Sequence, residues 1–150
     1  VPAANILNVV TPGGGTQGIK TTGAGNTITI TSNATTFEGT VTTVGTTPGV
    51  LNVLIPVPTN SASSLRVNLV GYDSANAVGI AVELLGGVKN VAGVMSIIAA
   101  HIDSTINGDT TLNGCSFTFV FSTTNAEVQI TGVSGHTIDW KGIIEVVNVG

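Results

Sequence analysis

The stretch from Ala126 to Val149, AEVQITGVSGHTIDWKGIIEVVNV, restricts what this chain can fold into more than any other. Val128 and Ile130 alternate with Gln129 and Thr131, the two-residue period of a strand with one buried face. Gly132-Val-Ser-Gly135 supplies a turn whose glycines accept positive φ without steric cost. Thr137, Ile138, Trp140, Ile143, Ile144, Val146, Val147 and Val149 then compose a long second strand, with Asp139, Lys141 and Glu145 held mostly to one face. Trp140, the only tryptophan, shares the other face with Ile138 and Ile144, where a large aromatic anchors a core. The expectation is a closing β-hairpin against which an all-β domain packs.

Composition agrees with strands. Charged residues make up 8% of the 150 residues, against roughly 25% in an average soluble protein. Thr, Ser, Asn and Gly fill the gap, and β-branched Thr and Val suit a pleated surface. A mean hydropathy of +0.49 would suit a membrane protein if the apolar residues came in blocks. They are instead interrupted well short of the ~18 residues a spanning helix needs, so no membrane-spanning segment is expected. The net charge is −4 with only 4 Lys and Arg; lacking a basic stripe, the chain is not expected to bind nucleic acid. The start at Val1 rather than Met suggests a processed product. A surface low in charge and rich in Thr, Gly and Asn points to an extracellular, cell-surface or virion location.

In chain order, Ile6 to Val10 is a short apolar segment closed by Thr11-Pro-Gly-Gly-Gly15, and Thr27 to Thr31 alternates cleanly. Residues 1–35 carry too few large apolar groups for a core and are expected to form an N-terminal β extension used in assembly. Residues 36–150 are expected to form the main domain. There Phe37, Gly39, Val41 and Thr43 share a strand face, and Leu65, Val67, Leu69 and Gly71 alternate against Arg66, Asn68 and Val70. Val78, Ile80, Val82 and Leu84 do the same. The near-continuous apolar run Val50 to Val57 reads as a strand buried on both faces or at a subunit contact. Phe117, Phe119 and Phe121 place three rings on one face of a strand expected to be central. Between Val88 and Ile102, a helical stripe of Val91, Met95, Ile98 and Ile102 competes with strand; Gly93 and the flanking strands favour the latter. Asn107-Gly108 and Asn113-Gly114 signal hairpin turns. Strand spacing of roughly 8–12 residues fits a jelly-roll-like β-sandwich of about eight antiparallel strands.

Few residues suggest chemistry. His101 precedes Asp103 and His136 precedes Asp139, but neither has the spacing of a metal site, and no metal or cofactor is expected. Cys115 follows a turn and reads as a small buried hydrophobe. No serine sits in a nucleophile elbow, so the chain is expected not to be an enzyme. Asn33-Ala-Thr35 fits the N-glycosylation sequon. Trp140, Phe117, Phe119 and Phe121 are the expected core anchors.

Val128-Gln-Ile-Thr-Gly132 followed by Gly135-His-Thr-Ile-Asp-Trp-Lys141 resembles the closing strands of C-terminal head domains in phage tail-fibre and related, including collagen-like, surface-fibre proteins. Thr42-Thr-Val-Gly-Thr46, Val57-Pro-Thr-Asn60 and Lys89-Asn-Val-Ala-Gly93 are similar to that group in the same order, so the resemblance spans roughly residues 40 to 148. Thr16 to Thr31 is similar to repeats that precede such heads. The resemblance implies a homotrimeric β head on a fibre, used for attachment or display.

From the residues themselves the expected function is a structural subunit that self-assembles into an extracellular or virion surface fibre. Ile6, Leu7, Val9, Val10, Val50, Leu51, Val53 and Leu54 are the candidate assembly residues. Its partners would be copies of itself, as a homotrimer or as a filament in which residues 1–10 add a strand to a neighbour. The alternative is a receptor- or glycan-binding attachment module, with Tyr72 and the segment 103–114 as candidates.

Overall fold

A computed structural model describes residues 34–98 and 103–150, and these form an all-β sandwich of antiparallel sheets. Ten strands follow in order: β1 Thr35–Val44, β2 Pro48–Val50, β3 Ile55–Pro56, β4 Ser61–Asp73, β5 Val78–Val91, β6 Val94–Ile97, β7 Asp103–Gly108, β8 Ser116–Ser122, β9 Asn125–Thr131 and β10 Thr137–Val149. A six-stranded sheet runs β1-β10-β4-β5-β6, with β7 also on β5. A four-stranded sheet has β9 at its centre, paired with β2, β3 and β8. Since β6 and β7 follow each other along β5, and β2 and β3 along β9, the sandwich is five strand positions against three. The pairings nest, β1 with β10 and β2/β3 with β9; within them lie a β4-β5-β6 meander and a β8-β9 hairpin. No helix among the described residues is long and apolar enough to cross a membrane.

Alternation builds the core. Leu65, Val67 and Leu69 of β4, Ile80, Val82 and Leu84 of β5, and Ile138, Trp140, Ile144 and Val146 of β10 all face inward. Opposite them lie Ala126, Val128 and Ile130 of β9 with Phe119 of β8. Two inward positions are glycine because a ring occupies the space. A Cβ on Gly71 would sit 2.6 Å from the Trp140 ring, and one on Gly86 2.5 Å from the Phe119 ring. Buried Asn90 joins the layers: its Nδ2 donates to Val57 O at 2.8 Å, and its Oδ1 accepts from Gly93 N at 3.0 Å.

Several expectations need correction. The closing hairpin does not form: β9 and β10 belong to different sheets, and Gly132 to His136 carries the chain across the sandwich. A Cβ on Gly132 would sit 2.7 Å from Gly45 O, so this crossing is pressed against the β1–β2 turn. Val50 to Val57 is not one strand. Asn52 turns away to β1, accepting from Thr40 N through Oδ1 at 2.7 Å and donating its N to Thr40 O at 3.1 Å. The aromatic strand β8 pairs with β9 alone among the described residues, so it is an edge rather than central. Neither Asn-Gly pair makes a hairpin turn: Asn107-Gly108 ends β7, and Asn113-Gly114 follows a 3-10 turn at Thr110–Leu112. The favoured strand reading from Val88 does hold as far as Ile97: β5 runs to Val91 and turns at Ala92-Gly93, with Gly93 at φ +88°, into β6, while residues 99–102 lie outside the described residues. Of the expected extension at residues 1–35, residues 1–33 lie outside the described residues, and Thr35 opens β1.

Gly71→Ala should cost about 1–3 kcal/mol by forcing a methyl into the Trp140 ring. Gly79→Ala, whose Cβ would meet nothing nearer than 3.7 Å, serves as the control. Urea unfolding of the two variants reads the difference; equal stabilities would show that the indole yields.

Candidate functional site

Three adjacent strands, β1, β10 and β4, bring six outward side chains together. Their registers set Thr42 opposite Asp139 and Asp139 opposite Tyr72, with Thr40, Lys141 and Val70 forming the next row. These residues line an open groove of about 710 Å³ on the outer face of the larger sheet. Tyr72 and Val70 keep half or more of their surface in solvent, because both take the outward phase of the alternation that buries Leu69 and Gly71. Thr42 Oγ1 donates to Asp139 Oδ1 at 2.6 Å, which orients the carboxylate. Lys141 Nζ lies 3.6 Å from Glu38 Oε2 with both side chains exposed, so the ammonium stays available to a ligand.

One residue along from Tyr72, Asp73 points inward and is fully buried. It accepts from Asn76 Nδ2 at 2.7 Å, from Ala75 N at 3.0 Å and from Asn76 N at 3.2 Å. His136 Nδ1 lies 2.8 Å from Asp73 Oδ2, and an ionised carboxylate only accepts, so that nitrogen is the donor. The Asn76 side chain foremost, then His136 and the two backbone amides, outweigh burial and lower the Asp73 pKa from 3.8 to about 2. This clasp ties the β4–β5 turn to the crossing before β10 and so stiffens the end of the groove that carries Tyr72 and Asp139.

Of the assembly residues expected from sequence, Ile6, Leu7, Val9 and Val10 lie outside the described residues, as do Asn33 and His101. Leu51 is buried, Val50 and Val53 are half-buried, and Leu54 is 53% exposed. Trp140 and Phe119 are buried; Phe117 and Phe121 pack against the core partly exposed. Tyr72 lines the groove, and Asp109 of the segment 103–114 reaches the same row, its Oδ2 accepting from Gly79 N at 2.8 Å. Thr40, Thr42, Val70, Asp139 and Lys141 were not anticipated as a group. Their alternation signals outward placement, but nothing local says that β10 lies between β1 and β4. Cys115 is buried and its thiol pKa is pushed up by that burial, which leaves it a poor nucleophile. No three His, Cys, Asp or Glu side chains converge among the described residues.

No protein-family model matches the sequence, and no curated protein is significantly similar to it. Similar solved structures are tailspike proteins of Acinetobacter phages. The tailspike gp49 of Acinetobacter baumannii bacteriophage Fri1, described as a capsular polysaccharide depolymerase, is 18% identical over 78% of this chain, with a TM-score of 0.39. The tailspike of A. baumannii phage AM24 is 10% identical over 79% of the chain, with a TM-score of 0.43. That of Acinetobacter phage vB_ApiP_P1 is 19% identical over 87%, with a TM-score of 0.36. The chain spans only 20%, 27% and 24% of those structures respectively. These are phage tail-associated proteins, the broader class to which the sequence resemblance points. One of them is described as an enzyme, and this overturns the expectation that the chain is not one.

The Asp73 clasp has a pH signature. Because its folded pKa is depressed, the carboxylate's contribution to stability is complete above 3.8 and is lost as pH falls toward about 2. The urea midpoint should therefore drop across that window, and Asp73→Asn should flatten the drop. An identical acid profile for the variant would show that other carboxylates carry it.

Proposed function

We propose that this domain is a self-associating module of an extracellular or virion surface fibre, working as a homotrimer. The observation that carries the reading is the outer face of the larger sheet. Val44, Val70, Ile143, Val147 and Val149 all project from it into solvent, Val149 with 73% and Val44 with 62% of its surface exposed. Leu85 joins them from β5, and the charges among them are Glu38, Arg66, Glu83, Lys89, Asp139, Lys141 and Glu145, with Arg66 paired to Glu83 and Lys141 near Glu38. A monomer seldom leaves so many apolar side chains of one sheet face to water, and the charges between them, three positive and four negative, nearly cancel, so little net repulsion opposes contact between copies. The phage tail proteins with similar structures accord with a virion-surface setting.

Sedimentation equilibrium at micromolar concentration tests the reading. A trimer is expected, and the double substitution Ile143→Glu with Val147→Glu should yield monomers while changing stability by no more than about 0.5 kcal/mol per site. A wild-type monomer unchanged across salt would sink the proposal. Filaments would move the assembly surface to residues 1–10.

A second reading, attachment to a glycan, is favoured by the groove around Tyr72. A half-exposed phenol ring can lie beneath the C–H face of a sugar, while Asp139, Lys141 and the two threonines offer acceptors and donors to its hydroxyls. Tyr72→Ala should abolish binding on a glycan array and leave the melting temperature nearly unchanged. Binding that survives the substitution would place attachment elsewhere.

A further inference from the structure

The two Asn-Gly pairs are held in opposite ways. Asn107 lies opposite Ala81 and Gly108 opposite Ile80 in the β5–β7 ladder. Just beyond, Asp109 N donates to Gly79 O at 3.0 Å, and Gly79 N donates back to Asp109 Oδ2 at 2.8 Å. A Cβ on Gly108 would sit 2.8 Å from Gly79 O and from Ile80 Cα, so the peptide after Asn107 is packed onto its neighbour. Asn113 and Gly114 belong to no ladder, and both are exposed. The turn bonds there bracket the Asn113–Gly114 peptide: Asn113 N donates to Thr110 O at 3.3 Å and Cys115 N to Leu112 O at 3.1 Å.

We infer that Asn113 is a site of spontaneous covalent modification, converted through a cyclic imide to aspartate and isoaspartate, and that Asn107 is protected by the fold. The Gly114 amide nitrogen attacks Cγ of Asn113, and a new N–Cγ bond forms as the Cγ–Nδ2 bond breaks. The proton lost from the attacking nitrogen leaves with the departing ammonia. Water then opens the imide at either carbonyl, and no other reactant is needed. Glycine at the following position favours the attack because no Cβ obstructs it. That chemistry is common to both pairs, so backbone freedom decides between them. Ring closure rotates the asparagine ψ, which at 107 disrupts a strand ladder and at 113 the Cys115–Leu112 turn bond and the contact of Gly114 with the Val133 side chain, where a Cβ would sit 2.8 Å from Val133 Cγ1.

The two products differ in consequence. Aspartate adds one negative charge at an exposed position. Isoaspartate lengthens the main chain between Leu112 and Cys115, both buried, and should lower the melting temperature.

The test is peptide mapping by mass spectrometry of the full chain after incubation in mildly alkaline buffer, with and without urea. In the folded protein Asn113 should convert at least roughly tenfold faster than Asn107, reflecting the freer backbone. In urea the two rates should converge, and Asn113→Gln should remove the reactive site while leaving Asn107 unchanged. Equal rates in the folded chain, or a folded chain in which Asn113 is inert while both sites react in urea, would overturn the inference. The wild-type comparison decides the matter even if the variant fails to fold.

Discussion

The indole of Trp140 is the contact on which the rest of the sandwich depends. Its Nε1 donates to Thr43 Oγ1 at 2.9 Å, both groups being buried, so β10 is locked diagonally onto β1. A buried indole N–H left without a partner would cost about 1–3 kcal/mol, and the threonine removes that penalty. The ring lies over Gly71 of β4 on one side. Across the layers it meets Phe117 of β8 edge to face, with centroids 5.6 Å apart and planes at 82°. One side chain of β10 thus touches two other strands of the larger sheet and one of the smaller. The alternation that sends Trp140 inward sends Asp139 and Lys141 outward, so the same registration builds the groove.

Edges and ends are managed by polar side chains rather than by added strands. Asn52 occupies at Thr40 the edge of β1 that no strand among the described residues pairs, copying with one side-chain oxygen and one main-chain N–H the pairing that another strand would make there. Such a cap blunts pairing with foreign strands at that point. It also explains why the apolar run around it breaks: Asn52 cannot reach β1 while the chain stays on β9. Asp73 does similar work at the end of the sandwich, where it satisfies a turn and a crossing together.

Most strands were legible from the period of two. The inward face of β4 follows from Leu65, Val67, Leu69 and Gly71, and that of β5 from Val78 to Leu84, because alternation reports which face is buried; both strands run further than those residues, β4 from Ser61 to Asp73 and β5 to Val91. Tyr72 was legible as a candidate binding residue. The groove was not, since Thr42, Asp139 and Tyr72 meet only through two long-range registers. The three phenylalanines misled because a face rich in rings looks central whether or not strands lie on both sides.

What the sequence alone determined is the class of structure: few charges, β-branched residues and strict alternation can bury an apolar face only as strands. The partner of each strand was decided by tertiary structure. Val128-Gln-Ile-Thr131 and Thr137 to Val149 fit a hairpin as well as they fit two separate sheets, because alternation names a face and not a neighbour. The fold separates them by pressing Gly132 against Gly45 and tying His136 to Asp73. These contacts, across 63 to 87 residues of chain, have no local signature, because their partners are chosen by packing rather than by pattern.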